Sequence, residues 1–253
     1  VKCVLLAAGY ATRLYPLTEN RPKSLLPVGD GTILDFIVGK VEAVGRITEI
    51  LIVSNHRFFR QFAEWRDGYS GRLRITVLDD GTTTNENRLG AIADLRFAVA
   101  AGELAEDLLV LAGDNLFDFS LVDFVAFFDR AATDCISVHA LADEVALRRT
   151  GVVELDGNGR VTGFEEKPAS PKSQWAAPPF YLFRRESLPL FAQYLAGGNN
   201  PDAPGNFIPW LIRQRAVSAW RFAGQRYDIG SLASYEEALR RFPPSATLSE
   251  LCK

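Results

Sequence analysis

The segment Leu6–Val28, LAAGYATRLYPLTENRPKSLLPV, constrains this chain more than any other part of it. An apolar run from Val4 to Ala8 breaks at Gly9, and Arg13 and Lys23 then follow, ten residues apart, in a loop. A buried strand that opens into a turn of small residues is how α/β proteins bring backbone N–H groups up to phosphates. Gly9 and Ala11 carry little or no side chain, so an anion can approach the main chain closely. Arg13 offers a planar fork of donors and Lys23 a compact charge, two complementary ways of holding phosphate oxygens. Pro16, Pro22 and Pro27 stiffen the loop. The commoner phosphate loops are excluded: there is no GxxxxGK[ST] string near the first strand, and the turn lacks the three glycines of GxGxxG.

Phosphate binding here must come from a local constellation. The formal charge of −3 argues against a binder of nucleic-acid polymers or membrane surfaces. No apolar run approaches the roughly 18 residues that span a bilayer, and because the first residues read as a strand, no signal peptide is expected. Cys3, Cys135 and Cys252 are odd in number and form no CxxC pair. Reduced thiols and a cytoplasmic location are the expectation. With 253 residues and 47% hydrophobic content, the chain can bury one large core, and a single α/β domain over residues 1–253 is expected.

Strand and helix patterns alternate through the first half. Strands are expected at Lys2–Ala8, Glu49–Ser54, Leu73–Leu78 and Leu108–Ala112, and helices at Ile33–Val44, Phe58–Trp65 and Leu89–Ala101. That rhythm predicts a Rossmann-like three-layer α/β/α fold with a mostly parallel mixed central sheet. Ligands then collect beyond the carboxyl ends of the strands, where the Gly9 and Gly113 loops leave the sheet. Strand signals come closer together in the second half: Ile136–Ala140, Gly151–Leu155, Val161–Glu165, Phe180–Phe183 and Val217–Phe222. Asp156-Gly157-Asn158-Gly159 marks a hairpin. Helices are expected at Leu188–Leu195, Phe207–Arg213 and Ser234–Phe242.

Asp114 follows an apolar strand that would carry its carboxylate to the ligand edge, and Asp228 leaves a short strand before the last helix. Two carboxylates brought together from distant points are a usual way to hold Mg²⁺ against phosphates. Each Asp taken alone reads equally well as a helix N-cap. His56 and His139 lack the spacing of a metal pair or a triad.

The Leu6–Val28 segment resembles, almost residue for residue, the signature of the sugar-1-phosphate nucleotidyltransferases, roughly LAxGxGTRLxPLTxxxPKxLLPV. Ala11 stands where that family usually has glycine. Gly113-Asp114-Asn115 is similar to the family's GDN-like motif, and Tyr227-Asp228-Ile229-Gly230 to its late WxDIG-like motif, so Mg²⁺ at Asp114 and Asp228 is implied. Phe164-Glu165-Glu166-Lys167-Pro168 resembles FxEKP, which implies Glu166 on sugar hydroxyls and Lys167 on the sugar phosphate. Gly151 matches the glycine of YGVV, which lets the sugar approach the backbone, and Tyr181 matches the aromatic residue of a GxY strand. Pro179 replaces the glycine expected there.

The resemblance implies nucleotide binding by Leu6, Ala8, Gly9 and Gly90, with Arg13 and Lys23 catalytic, and a polar residue that reads the base in the preceding loop, for which Asn85, Glu86, Asn87 and Arg88 are the candidates. It places the nucleotide-binding part at about 1–115 and the sugar-phosphate part at about 116–253. The implied activity is Mg²⁺-dependent nucleotidyl transfer from a nucleoside triphosphate to a sugar 1-phosphate, giving an NDP-sugar and pyrophosphate. Two alternatives stand beside it: a cytidylyltransferase acting on a phosphoalcohol or phosphonate, and a catalytically silent regulatory subunit that binds a nucleotide-sugar. The base, the acceptor and the oligomeric state stay open, although relatives often form dimers or tetramers.

Overall fold

The computed structural model describes residues 1–244; Cys252 lies outside the described residues. In chain order come β1 (Lys2–Leu6), β2 (Pro27–Val28), β3 (Gly31–Thr32), α1 (Ile33–Glu42), β4 (Glu49–Ser54), α2 (His56–Gly68) and β5 (Arg74–Asp79). Then follow α3 (Ala91–Ala101), β6 (Leu108–Ala112), β7 (Asn115–Phe117), α4 (Leu121–Ala131), β8 (Asp134–Ala140) and α5 (Glu144–Leu147). The strands β9 (Gly151–Leu155), β10 (Val161–Glu166), β11 (Trp175–Ala177) and β12 (Phe180–Phe183) come next. The described chain closes with α6 (Pro189–Ala196), α7 (Ile208–Leu211), β13 (Val217–Arg221), β14 (Arg226–Asp228) and α8 (Leu232–Arg241). The fold is α/β with a large mixed sheet, its first strands parallel, flanked by helices.

The chain forms two compact units. The first comprises, among the described residues, Leu5–Arg88, Ala112–Phe119 and residues 224–244. Its strand order is β1-β4-β5, with β4 and β5 parallel in the register Ile50↔Ile75. Thr32 starts α1 with a capping box, its hydroxyl accepting from the Asp35 N–H while Asp35 accepts from the Thr32 N–H. The helix buries Ile33, Leu34, Ile37, Val38 and Val41, one stripe at helical spacing, each worth about 2 kcal/mol of transfer free energy. Asn55 caps α2 through the Phe58 N–H and donates to the Ala8 carbonyl, tying the end of β4 to the Gly9 turn. A short antiparallel ribbon of β7 and β14 completes this unit.

The second unit comprises Val1–Val4, Leu89–Leu111 and Ser120–Ala223. Its strands run β10-β9-β11-β8-β12-β6-β1, with β13 parallel on β8. The β9–β10 hairpin forms over the expected Asp156–Gly159 turn, where the Asp156 carboxylate accepts from the Asn158 and Arg160 N–H groups. β12 lies antiparallel between β6 and β8, so antiparallel pairing enters through the second half of the sequence, as expected. Phe183, Phe191, Tyr194, Phe207 and Trp210 pack in an aromatic cluster with neighbouring centroids 4.9–5.9 Å apart.

Several boundaries differ from expectation. α4 carries no sequence-based expectation, although Ser120 caps it and Leu121, Phe124, Val125 and Phe128 form its buried stripe. β1 ends at Leu6, whose carbonyl is taken by the Gly113 N–H. α3 begins at Ala91 because Gly90 has φ +93, outside helical space. The helix expected at Phe207–Arg213 is shorter, with a 3-10 turn over Pro204–Phe207 leading into α7. Cys3 and Cys135 are buried free thiols, and burial pushes the Cys135 thiol up to about 12. Among the described residues no helix is long and apolar enough to cross a membrane.

Candidate active site

The first unit assembles the cations and both acids of the sequence motifs. Gly9 leaves open space where a Cβ would stand, so its backbone is approachable as expected. Ala11 is left-handed, at φ 50 and ψ 38, and its carbonyl accepts from Thr18 Oγ1 and the Leu14 N–H. That conformation is what the family's glycine supplies without strain. It starts the 3-10 turn Thr12–Leu14 that carries Arg13. A second 3-10 turn, Lys23–Leu25, carries Lys23. Lys23 Nζ lies 2.5 Å from Asp114 Oδ2.

Gly113 explains how Lys23 and Asp114 meet. A Cβ there would stand 2.8 Å from Ser24 Oγ and 3.1 Å from the Leu6 carbonyl oxygen. Only a glycine lets the end of β6 close on the Leu6 turn and on the residue beside Lys23. The β7–β14 ribbon then supplies the second acid, because its register sets Asp228 opposite Asn115. The Ile229 N–H donates to the Asp114 carbonyl at 3.2 Å. Arg13 Nη2 and Asp228 Oδ1 each lie 3.8 Å from the position a Cβ on Gly230 would take, so the guanidinium and the second acid share one corner.

The electrostatics follow from this placement. Burial disfavours the Asp114 anion, but the charge and hydrogen bond of Lys23, helped by Asn115 Nδ2, outweigh it and hold its carboxyl below the ordinary value. Asp228 moves the other way. Crowding by protein pushes its carboxyl up, the Asp114 charge pushes it further, and Arg226, Lys23 and Arg13 only partly compensate. Two carboxylates that repel each other and open to solvent suit a hard divalent cation, which would relieve the repulsion. Mg²⁺ needs few protein oxygens because it keeps waters and takes phosphate oxygens. Among the described residues no group of three or more His, Cys, Asp and Glu offers an alternative centre.

The second unit holds the remaining motif residues. Glu166 pairs with Gly151 across the β9–β10 hairpin, and Phe164 with Val153. Burial raises the Glu166 carboxyl, with the Lys167 charge opposing. Lys167 is left-handed at φ 50, and its N–H donates to the Thr150 carbonyl. A non-glycine residue in that region costs on the order of 1 kcal/mol or more and persists where its surroundings fix it. The Phe164 ring fills the space beside Gly151, with Cζ 2.4 Å from the position of an added Cβ. Tyr181 is 2% exposed on β12 and stacks with Phe183 at 5.8 Å, a core placement.

Gly90 is required by packing in its own unit. A Cβ there would lie 2.7 Å from the Pro201 carbonyl oxygen, and the first N–H groups of α3 donate to the Asp202 and Pro201 carbonyls. Asn85 sits in the 3-10 turn Asn85–Asn87, its carbonyl accepting from Arg88 Nη1. The histidines stay outside the acid pair: His56 Nδ1 lies 2.7 Å from Asp79, and His139 stacks on Phe222. Sequence reasoning assigned no role to Arg226, whose Nη1 donates to Asn115 Oδ1 at 2.7 Å, or to Asn115, which passes that contact on to Asp114 at 2.6 Å. The available signal was a basic residue two positions before Asp228, on the same strand face.

In open α/β sheets ligands bind beyond the carboxyl ends of the strands, which is where these cations and acids lie. The family model for nucleotidyl transferases matches residues 2–243, and this chain belongs to that family. It is 29% identical to a glucose-1-phosphate adenylyltransferase of Thermomicrobium roseum, over 94% of this chain and 58% of that protein. It is 28% identical to a valienol-1-phosphate guanylyltransferase of Streptomyces hygroscopicus subsp. limoneus, over 99% of this chain and 75% of that protein. A UTP–glucose-1-phosphate uridylyltransferase of Haloferax volcanii is 27% identical over 98% of both chains. The chain thus spans just over half the length of the first of these relatives. The structure of a UDP-glucose pyrophosphorylase complexed with UDP-glucose superposes with a TM-score of 0.82 at 20% identity, covering 95% of this chain and 97% of that one. That likeness speaks for the fold.

Proposed function

We propose that this chain transfers a nucleotidyl group from a nucleoside triphosphate to a sugar 1-phosphate and releases pyrophosphate. The observation that carries the reading is the assembly of Arg13, Lys23, Asp114 and Asp228 at one place from three distant segments. In this reaction an oxygen of the acceptor phosphate attacks the α-phosphorus, and the bond from that phosphorus to the bridging oxygen of pyrophosphate breaks. The acceptor oxygen is already anionic at neutral pH, so no general base is needed. Alignment and charge neutralisation are what remain for the protein to supply.

The open backbone at Gly9 takes the nucleotide's phosphates, Arg13 neutralises charge growing on the leaving pyrophosphate, and Lys23 bridges toward the α-phosphate. Asp114 and Asp228 are the residues that would hold Mg²⁺, which when bound supplies further positive charge to phosphate oxygens. Glu166 accepts from acceptor hydroxyls, and Lys167 takes the acceptor phosphate. By their names two of the relatives above act on glucose 1-phosphate and one on valienol 1-phosphate, and the first two support a sugar 1-phosphate as acceptor.

The test is pyrophosphate release with Mg²⁺, crossing ATP, UTP, dTTP, CTP and GTP against sugar 1-phosphates and phosphoalcohols. One preferred pair with a sugar 1-phosphate is expected and reads out base and acceptor together. Turnover confined to a phosphoalcohol, or silence with nucleotide-sugar binding intact, overturns the proposal in favour of one of the two alternatives.

A further inference from the structure

Glu166 is held in an unusual way for a half-buried carboxylate. It shares one face of β10 with Phe164, two residues earlier, and that face meets the 3-10 turn Pro204–Phe207. A Cβ on Gly205 would lie 2.1 Å from Glu166 Oε2 and 2.8 Å from Phe164 Cζ. The carboxylate and the ring edge therefore rest directly on bare backbone. The turn itself is fixed. Phe207 is buried in the aromatic cluster, 4.9 Å from Phe191 and 5.4 Å from Tyr194, and the Tyr194 hydroxyl donates to the Asn206 carbonyl. Among the described residues none donates a hydrogen bond to the Glu166 side chain, and Lys167 is the charge that bears on it.

We propose that Gly205 is a positioning residue for acceptor binding, its bare Cα being the seat that fixes the Glu166 carboxylate. Ordinarily a carboxylate is oriented by hydrogen-bond donors, which occupy its lone pairs. Here orientation comes from steric contact with a rigid turn, so both oxygens keep their acceptor capacity for hydroxyls of the ligand. The inference rests on the reading of Glu166 as an acceptor-binding residue. An added methyl at position 205 would meet two side-chain ends, the Glu166 carboxylate and the edge of the Phe164 ring, and both must shift. Glu166 would swing away while the fold survives, and a displacement of about 1 Å is enough to lose much of a contact's value.

The experiment compares Gly205→Ala with Glu166→Gln, and with Glu166→Asp and the double variant Gly205→Ala/Glu166→Asp. Glucose 1-phosphate is the acceptor probe, paired with the triphosphate that supports fastest turnover. Gly205→Ala is expected to raise the KM for glucose 1-phosphate about tenfold, some 1.4 kcal/mol. The nucleotide KM stays near that of the parent, while the melting temperature falls by the cost of shifting the Phe164 ring. The shorter aspartate side chain of Glu166→Asp clears the methyl, so in that background Gly205→Ala raises the acceptor KM much less than it does in the parent. An unchanged acceptor KM in folded Gly205→Ala, with Glu166→Gln impaired, overturns the seat and leaves the acceptor reading standing. If Glu166→Gln is itself unimpaired, the acceptor role falls, and a crystal structure of Gly205→Ala with Glu166 unmoved overturns the seat separately. Should Gly205→Ala fail to fold, Phe164→Leu loosens the same seat without adding an atom to the turn; an acceptor KM unchanged there overturns it as well.

Discussion

Ala11 shows how much one residue's backbone can say. Its left-handed φ of 50 is imposed by the Arg13 turn, and an L-residue there carries about 1–2 kcal/mol of strain. Replacement by glycine removes the strain but loosens the unfolded chain, which returns about 0.4–1 kcal/mol. Ala11→Gly is therefore expected to stabilise by about 0.5–1 kcal/mol with activity retained, and a denaturant midpoint at or below the parent's would contradict the account. Asp228→Asn replaces one of the two carboxylates proposed for Mg²⁺ by a neutral amide, a weaker ligand. Its rate should fall about a hundredfold or more, with a weaker response to added Mg²⁺; unchanged activity and metal response would send the search for the second carboxylate elsewhere. Glu166 bears on stability through pH. Burial raises its carboxyl, so the folded chain holds that proton more tightly than the unfolded chain does. Stability from this group is present below the ordinary glutamate value and is lost as pH rises through the raised one. Glu166→Gln should thus unfold at higher denaturant than the parent at pH 8, with the gap closing by about pH 4. Equal gaps at both pH values would rule out that linkage.

At the scale of elements, the site depends on two close approaches. Gly113 lets the end of β6 pack on Leu6 and Ser24, and the β7–β14 ribbon sets Asp228 across from Asn115. Gly113→Ala would press a methyl against backbone and a buried serine, neither of which can yield cheaply. The expected result is a loss of about 1–3 kcal/mol of stability and a larger proportional loss of activity, because Asp114 moves with the strand end. A variant that melts and turns over like the parent would show that the Asp114 loop tolerates the shift. Most elements were legible in the sequence. β4, β6, β9 and β12 fall at their expected bounds because each is a compact apolar run between turn signals. The β7 and β14 pair was not resolved as a ribbon, since three-residue strands carry too little pattern, and their pairing joins segments more than a hundred positions apart.

For the whole molecule, a net charge of −3 coexists with a pocket of positive charge, where Arg13, Lys23 and Arg226 surround two acids. If the proposed site binds a triphosphate, the ligand should stabilise the fold by mass action. At a hundredfold excess over Kd the gain is about 2.7 kcal/mol, or roughly 5–10 °C for a chain of this size. Arg13→Ala is expected to melt like the parent without ligand, lose most of that ligand-induced shift, and lose turnover. A full shift with normal rates would remove Arg13 from the assigned role.

The sequence by itself determined the candidate loop from Leu6 to Val28, the order of the acids and the family, because those signals are local: residue types at fixed spacing along a strand and the turn that follows it. Only the tertiary structure decided that Asp114 is paired by Lys23, that Asp228 sits beside both, that Arg226 reaches Asn115, and that Gly205 lies under Glu166. Each of these joins residues far apart in the chain. Their contact depends on strand register and on how closely bare backbone lets two segments approach, neither of which leaves a mark on the residues' immediate neighbours.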